Sequence, residues 1–290
     1  MYGDVQEIKS WLSGLPLGWL IDYRFFLTLI VTLMLAGGYA RAVAGHGLAR
    51  HGPNASTRRD QVLLAWNFVY HCVTRALVAA GLWFSVRLLP PMALPMASWH
   101  PAIQAVVFIL GLSLLEYGIH RAQHSIRAWW ALHEYHHSST TFGGIATFRC
   151  NLFELPLMDM VKLIPLALLG RAPLVYVVVS AIVLTNGFLI HSELNTAWGW
   201  FGRWILVSPN AHRMHHASGN RFHTVNFGSD LVIWDRLFGT YRAPPEDMDM
   251  PVGAATDYTG MGVFEGSVLG LRRAVAALTA RDRRAAAADA

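Results

Sequence analysis

The sequence predicts an all-α integral membrane protein: a helix bundle of about four to five membrane segments, with a histidine-rich site on its cytoplasmic side. Three observations predict it. Hydrophobic residues make up 54% of the 290 and charged residues 14%, against roughly 45–50% and about 25% in a soluble domain, and the mean hydropathy is +0.35. Long uncharged runs recur along the chain. Ten of the fourteen histidines fall between His120 and His223, in clusters that follow those runs.

Residues 25–40, FFLTLIVTLMLAGGYA, carry no charge, and Trp19, Leu20 and Ile21 extend the apolar run. Crossing a bilayer takes roughly 20 apolar residues, so this is the first span. The loop after it holds Arg41, Arg50, Arg58 and Arg59 with His46 and His51. It is the most basic short loop in the chain, and the positive-inside rule assigns it to the cytoplasm. Residues 61–86 form the second apolar segment. Arg75 inside it must face the bundle interior or snorkel, and His71, one turn earlier, reads as a packed histidine. No residue from Leu88 to Leu115 is charged, but Pro90, Pro91, Pro95 and Pro101 break the first half. That leaves a short non-cytoplasmic turn and a third span from about Pro101 into Glu116. The segment Leu155 to Leu169 is short and contains Asp159 and Lys162, a hairpin arm or an interfacial segment. Ala172 to Ser192 is uncharged and is the clearest span. Counted from the arginine loop, the third span returns to the cytoplasm at His120, and the next two segments go out and back to deliver His191. Every clustered histidine then lands on one face. Beyond residue 192 the chain is soluble in character up to the basic, alanine-rich end, LRRAVAALTARDRRAAAADA, which reads as a helix on the membrane surface or as disorder.

The net charge of +5 and the pI near 9.5 do not point to nucleic acid, because the arginines flank apolar segments or lie in the tail. The N-terminus, MYGDVQEIKS, carries acids and lacks the basic start of a cleavable signal, so it is expected to be retained. Two cysteines, Cys72 and Cys150, are too few for a disulfide framework.

The histidines form a constellation. His120 and His124 stand in H-x-x-x-H directly after the third span; His133, His136 and His137 form H-x-x-H-H; His191 closes the fifth span; His212, His215 and His216 repeat H-x-x-H-H; His223 follows. Positions i, i+3 and i+4 share a helical face, so each H-x-x-H-H is expected to present three imidazoles to one point. Neutral imidazole binds first-row metals such as iron, copper, nickel and zinc. No single ion takes nine nitrogens, whereas two ions of four or five ligands each would, which suggests a dinuclear site. The absence of cysteine from the clusters argues against a structural zinc module.

The order of these motifs resembles the fatty acid hydroxylase/sterol desaturase superfamily of membrane di-iron enzymes. His136-His137-Ser138-Ser139 followed by Thr147-x-Arg149, and the run from Asn226 to Thr240, NFGSDLVIWDRLFGT, resemble its alkylglycerol monooxygenase and bacterial sterol-desaturase-like branch. The resemblance covers about residues 105–243. The first hundred residues match only in being apolar; with residues 1–100 read as N-terminal membrane helices and 246–290 as a C-terminal tail, the resemblance implies a membrane bundle of four or more helices capped by a cytoplasmic helical catalytic region, residues 101–245. It also implies two iron ions held by His120, His124, His133, His136, His137, His191, His212, His215 and His216, with His223 as a further ligand or a support beside them. Glu116, one turn before His120, is a candidate to accept a proton from a ring nitrogen and so orient a ligand; a helix-end carboxylate is the plainer reading. Asp235 is a candidate for the same role, with a salt bridge to Arg236 or a neighbour as its rival. Asn226 and Arg149 read as site-wall residues, and Trp234 and Phe238 as packing.

The resemblance further implies O2 as co-substrate and hydroxylation of an unactivated C–H bond in a membrane lipid of the fatty acyl or aminolipid type. A carotenoid-ring or sterol hydroxylase and a lipid desaturase are the alternatives, so the substrate is a membrane lipid or isoprenoid. No G-x-G-x-x-G after a strand and no fused haem or flavin module is present, so electrons are expected from a separate donor, ferredoxin- or cytochrome-like, or a pterin. A non-catalytic membrane metal-binding or transport protein is the reading from another class. Transporters place ionisable ligands near the bilayer midplane, whereas these cluster at one face.

Overall fold

The computed structural model describes residues 58–67, 99–158, 173–219 and 222–288. The expected first span at residues 25–40, most of the arginine loop, the second segment beyond residue 67, the proline-rich turn and most of the fourth segment lie outside the described residues. So do the count of spans and the assignment of sides that depend on them.

Among the described residues the chain is helical, with isolated bridges at Leu206–Leu231 and Ala217–Val252 and no β-sheet. Helix α1 (Pro101–Ser125) starts at Pro101, whose missing N–H suits a first turn, with the His100 ring accepting from Ala102 N at 3.3 Å. It is long and apolar enough to cross a membrane. It does not stop near Glu116, where the apolar run ends, but continues unbroken through His120 and His124. Ile126 alone, in an extended conformation, separates it from α2 (Arg127–His137). This one-residue turn brings His124 back over His133 and His137.

After a short 3-10 turn (Gly144–Phe148), α3 (Pro173–Ile190) occupies most of the uncharged run expected at 172–192. Phe108 and Leu112 of α1 pack with Val179 of α3, and Ile109 and Val183 extend the contact. Three short helices follow: α4 (Gly199–Trp204), α5 (Pro209–His215) and α6 (Ile233–Leu237). The Ser208-Pro209 pair starts α5 as a capping rule predicts, with Ser208 Oγ accepting from Ala211 N at 3.2 Å. Ile190, Val207, Ala211 and Val232 form the apolar cluster beneath α5.

The last helix, α7 (Val263–Ala288), takes in most of the basic, alanine-rich end. It packs on α2: Ala131 and Leu132 meet Ala274, with Ala128 and Leu271 beside them. Glu134, inside H-x-x-H-H, faces this side rather than the histidines. It is buried, accepts from Thr256 Oγ1 at 2.8 Å and pairs with Arg273. Close approach requires glycine at residue 270, where an added Cβ would lie 2.5 Å from Asn151 Nδ2 and 2.8 Å from the Ala131 carbonyl.

Forcing a side chain into that contact overpacks it, typically by about 1–3 kcal/mol. Gly270→Val is therefore expected to lower the thermal midpoint of the purified protein by several degrees. Gly262→Ala, where nothing lies within 4 Å, is expected to leave it nearly unchanged; differential scanning fluorimetry in detergent checks both.

Candidate metal centre

The structure brings nine of the ten sequence-picked histidines into one buried chamber, in two groups. His120, His124, His133 and His137 place ligand atoms within 4.8 Å of one another, and so do His136, His191, His212 and His216. His215 adjoins the first group, its Nε2 at 3.0 Å from His120 Nε2. His223 stands outside both groups. Its Nε2 lies 3.1 Å from the Ala217 carbonyl and its ring edges His137 at 5.0 Å.

The expectation that each H-x-x-H-H aims three rings at one point is corrected. Helical geometry keeps i and i+4 together while successive residues diverge by about 100°. His133 and His137 thus stay in the first group while His136 swings into the second. In α5, His212 and His216 stay in the second while His215 turns toward the first. Each motif serves both groups.

Backbone carbonyls fix the rings. Nδ1 of His120 lies 2.7 Å from the Phe227 carbonyl, that of His136 2.9 Å from Arg149, that of His191 2.8 Å from Gly187, and that of His215 2.8 Å from Val225. A carbonyl can only accept, so Nδ1 carries the proton and Nε2 of each neutral ring is a bare lone pair. Yet His120 and His215 meet Nε2 to Nε2 at 3.0 Å, and His136 and His191 at 3.2 Å. Two lone pairs at that distance repel unless a cation lies between them. Protonating one ring is the other escape, but burial first and neighbouring imidazoles second hold His136 and His215 well below the ordinary imidazole range. His133, His137, His212 and His216 are lowered in the same way. Both ring nitrogens of His133 and the Nδ1 atoms of His137 and His212 are buried without a hydrogen bond. Neutral, convergent, under-satisfied nitrogens are what a transition-metal site offers.

The other sequence-picked residues act mostly through backbone. Asp235 touches no histidine, and it makes no salt bridge with Arg236. Its Oδ1 accepts from Phe227 N at 2.8 Å and Thr240 Oγ1 at 2.7 Å, and its Oδ2 from Gly228 N at 2.8 Å. It thereby fixes the loop whose Val225 and Phe227 carbonyls orient His215 and His120. Gly228 allows this, because an added Cβ would lie 2.8 Å from Asp235 Oδ2. Asn226, at φ +55°, seals the same loop by accepting from Arg242 N at 2.8 Å and donating to the Arg242 carbonyl at 2.9 Å. Arg149 is fully buried, bonded to Asp60 at 2.6 Å and to Ser138 Oγ at 3.2 Å, while its carbonyl orients His136. Glu116 does not take the His120 proton, which goes to the Phe227 carbonyl instead.

Sequence reasoning missed three residues. Glu154 is wholly buried, accepts from Gln123 Nε2 at 2.6 Å and lies 3.3 Å from His133 Nδ1, off line for a hydrogen bond. Burial pushes its carboxyl up to about 8 against the opposing pull of the Gln123 hydrogen bond. A lone acid between apolar residues was the available signal. Trp130 lies 4.8 Å from the His124 ring and 5.3 Å from His137, and Phe142 lies 5.0 Å from His216 and 5.4 Å from His191. These two rings wall the two groups, and nothing in their sequence context sets them apart from ordinary core aromatics.

The fatty acid hydroxylase family model matches residues 105–240. Ornithine lipid hydroxylase OlsE of Rhizobium tropici is 32% identical over 158 residues, which cover 53% of this chain and 46% of that protein. Human alkylglycerol monooxygenase is 33% identical over 137 residues, covering 47% and 30%. The Delta(7)-sterol 5(6)-desaturase of Leptosphaeria maculans is 27% identical over 156 residues, covering 52% and 40%. The chain thus spans less than half the length of each of these relatives. No solved structure matches it.

Loss of an outer support of this kind typically lowers metal affinity about 10–100-fold. Asp235→Ala is expected to do so here, read by competition with a chromophoric chelator. Arg236→Ala, which leaves the loop's hydrogen bonds in place, is expected to bind as the parent does.

Proposed function

We propose, from the match of residues 105–240 to the fatty acid hydroxylase family model, a membrane-bound, O2-dependent hydroxylase acting on an unactivated C–H bond of a lipid. The observation that carries the reading is the paired chamber of nine imidazoles, with tautomers set so that their lone pairs converge. Two iron ions are the proposed cofactor. His120, His124, His133 and His137, with His215 beside them, hold the first, and His136, His191, His212 and His216 the second. Bound there, the pair supplies the activation of O2 and the oxidation of the C–H bond.

The protein's own part is positional. The carbonyls of Phe227, Val225, Arg149 and Gly187 keep the Nδ1 protons of His120, His215, His136 and His191 in place, so the Nε2 atoms of these four rings stay available. Trp130 and Phe142 pack against the rings and keep bulk water off the chamber walls. Helix α1 places His120 and His124 at the end of an apolar segment, where a lipid chain approaches from the side without crossing an aqueous gap. The proposed topology is multi-pass with the histidines on the cytoplasmic face, and electrons arrive from a separate donor protein or a pterin. The named relatives include an ornithine lipid hydroxylase and an alkylglycerol monooxygenase, which favours a glycerolipid or aminolipid over an isoprenoid.

Expression in a heterologous host, followed by lipid and carotenoid mass spectrometry, tests this. A lipid gaining one oxygen supports hydroxylation, whereas loss of two hydrogens transfers the reading to desaturation. His136→Ala and His215→Ala are each expected to reduce product to background, and unchanged product would refute the metal site. Purified protein with full activity and no iron would refute the cofactor.

A further inference from the structure

Two short helices carry a cluster of large apolar side chains left uncovered. Trp200 and Leu237 are 67% and 68% exposed, with Phe201 and Trp204 on α4 and Ile233 and Phe238 on or beside α6 also open. The helices form one surface. Val232 N donates to the Ile205 carbonyl at 3.1 Å, and the Arg236 guanidinium stacks 3.6 Å over the Trp204 ring while bonding the Arg203 carbonyl. Contiguous exposed apolar area of this kind marks an interaction surface.

We propose that α4 and α6 form an interfacial seat, lying in the headgroup–acyl boundary of a lipid bilayer and setting the depth of the histidine chamber beneath the cap. The inference rests on α1 being a membrane span. Three observations select a bilayer as the occupant.

The first is continuity. Ile103, Val106, Val107, Leu110 and Leu114 form an exposed apolar stripe along α1 at helical spacing. Where that stripe ends, α6 begins: Trp234 Nε1 donates to Ser113 Oγ at 2.9 Å, and Phe238 stacks on Tyr117 at 5.2 Å. The second is spacing. Trp99, also exposed, marks the opposite end of α1. At 1.5 Å per residue the rise from Pro101 to Tyr117 is about 24 Å, close to the hydrocarbon thickness of roughly 27–30 Å. Aromatic residues thus mark both ends of the apolar stretch, as they do in membrane-interface belts. The third is the make-up of α4. Its inner face is Gly202, where an added Cβ would fall 2.0 Å from the Ala197 carbonyl, so the helix lies flat on the cap. Its outer face is Trp and Phe, and its one cation, Arg203, is joined at the edge by Arg236 of α6 stacked over Trp204, the pairing of apolar face and cationic edge that suits a helix in the interface plane. On this placement His120 and His124 lie one to two turns above the hydrocarbon boundary, about 5–10 Å.

The test uses the full chain in phosphatidylcholine nanodiscs, with Cys72 and Cys150 replaced by serine. Nitroxide labels are placed through Trp200→Cys, Leu237→Cys, Leu110→Cys and Asp249→Cys, and collision with O2 and with a neutral nickel chelate is read by power-saturation EPR. The Trp200→Cys and Leu237→Cys labels are expected to favour O2 over nickel, at a depth shallower than the Leu110→Cys label, and Asp249→Cys to favour nickel. If the two α4/α6 labels behave like Asp249→Cys, the seat is in water and the proposal fails. If neither reagent reaches them, protein covers the patch, from another chain or a second copy, and the proposal fails equally. If Leu110→Cys also behaves like Asp249→Cys, the membrane reading of α1 itself is wrong. A label-free measurement stands beside these. Lipids brominated near the headgroup are expected to quench tryptophan fluorescence more than lipids brominated near the chain end, and the double variant Trp200→Phe/Trp204→Phe to reduce that difference, Trp99 at the opposite interface keeping its share. An unchanged difference would overturn the proposal.

Discussion

The rest of this fold depends on imidazoles pinned at Nδ1 by backbone carbonyls and driven together at Nε2. The four carbonyls that do the pinning belong to Arg149, Gly187, Val225 and Phe227. None of them lies in α2 or α5, the helices that carry the two H-x-x-H-H motifs. For His120, His136 and His215 the orienting carbonyl comes from a segment elsewhere, whereas His191, just past the end of α3, is held by Gly187 of α3 itself. This division explains why the loops are so heavily bonded. The 225–228 loop alone is held by both carboxylate oxygens of Asp235, by Thr240 acting on that carboxylate, and by Asn226 in a left-handed conformation. A shift of half an ångström in that loop would turn two rings at once.

The split of each motif between two groups couples them. α2 contributes two rings to the first group and one to the second, and α5 contributes in the reverse sense. Neither helix can move without changing the nitrogen geometry at both. The packing of α7 on the far side of α2, through Glu134–Arg273 and the small-residue contact at Gly270, acts on the site for the same reason. It braces the helix against which both groups are measured. A C-terminal segment that touches no histidine therefore belongs mechanically to the centre.

The nine chamber residues were legible in the sequence because imidazole is scarce and its spacing survives folding: i, i+4 pairs stay paired. Their division was not legible from counting a shared face. It follows from the 100° between neighbours, which sends His136 and His215 away from their own motifs. The run from Asn226 to Thr240 stood out, but Asp235 could not be placed from sequence, because it acts on amides eight and seven residues earlier rather than on a ring. Glu154 was hidden for another reason: its partners, Gln123 and His133, come from two other helices. Helix α1 was legible as an apolar run to about Glu116 leading directly into a helical H-x-x-x-H pair, and one unbroken helix carries both. Polar residues past Glu116 mark the edge of the apolar stretch, whereas the helix itself continues to Ser125.

The choice of carbonyls rather than carboxylates as ring partners has an electrostatic consequence. A carboxylate accepting from each Nδ1 would add negative charge beside every ligand, and in a buried chamber such charge is expensive unless matched. Neutral carbonyls orient the rings without that charge. Two divalent cations bound by neutral nitrogens would then keep nearly their full positive charge, undiluted by water at a site whose rings are buried. The one carboxyl beside a ring nitrogen among the described residues, that of Glu154, is itself pushed by burial toward its neutral form. A nearby cation reverses that tendency, so this carboxyl is ionised most readily when the chamber is filled. The sequence thus builds a site whose polar groups are satisfied by folding only in part. Nitrogens left facing one another at about 3 Å are the unsatisfied remainder, and a bound metal cation would satisfy them.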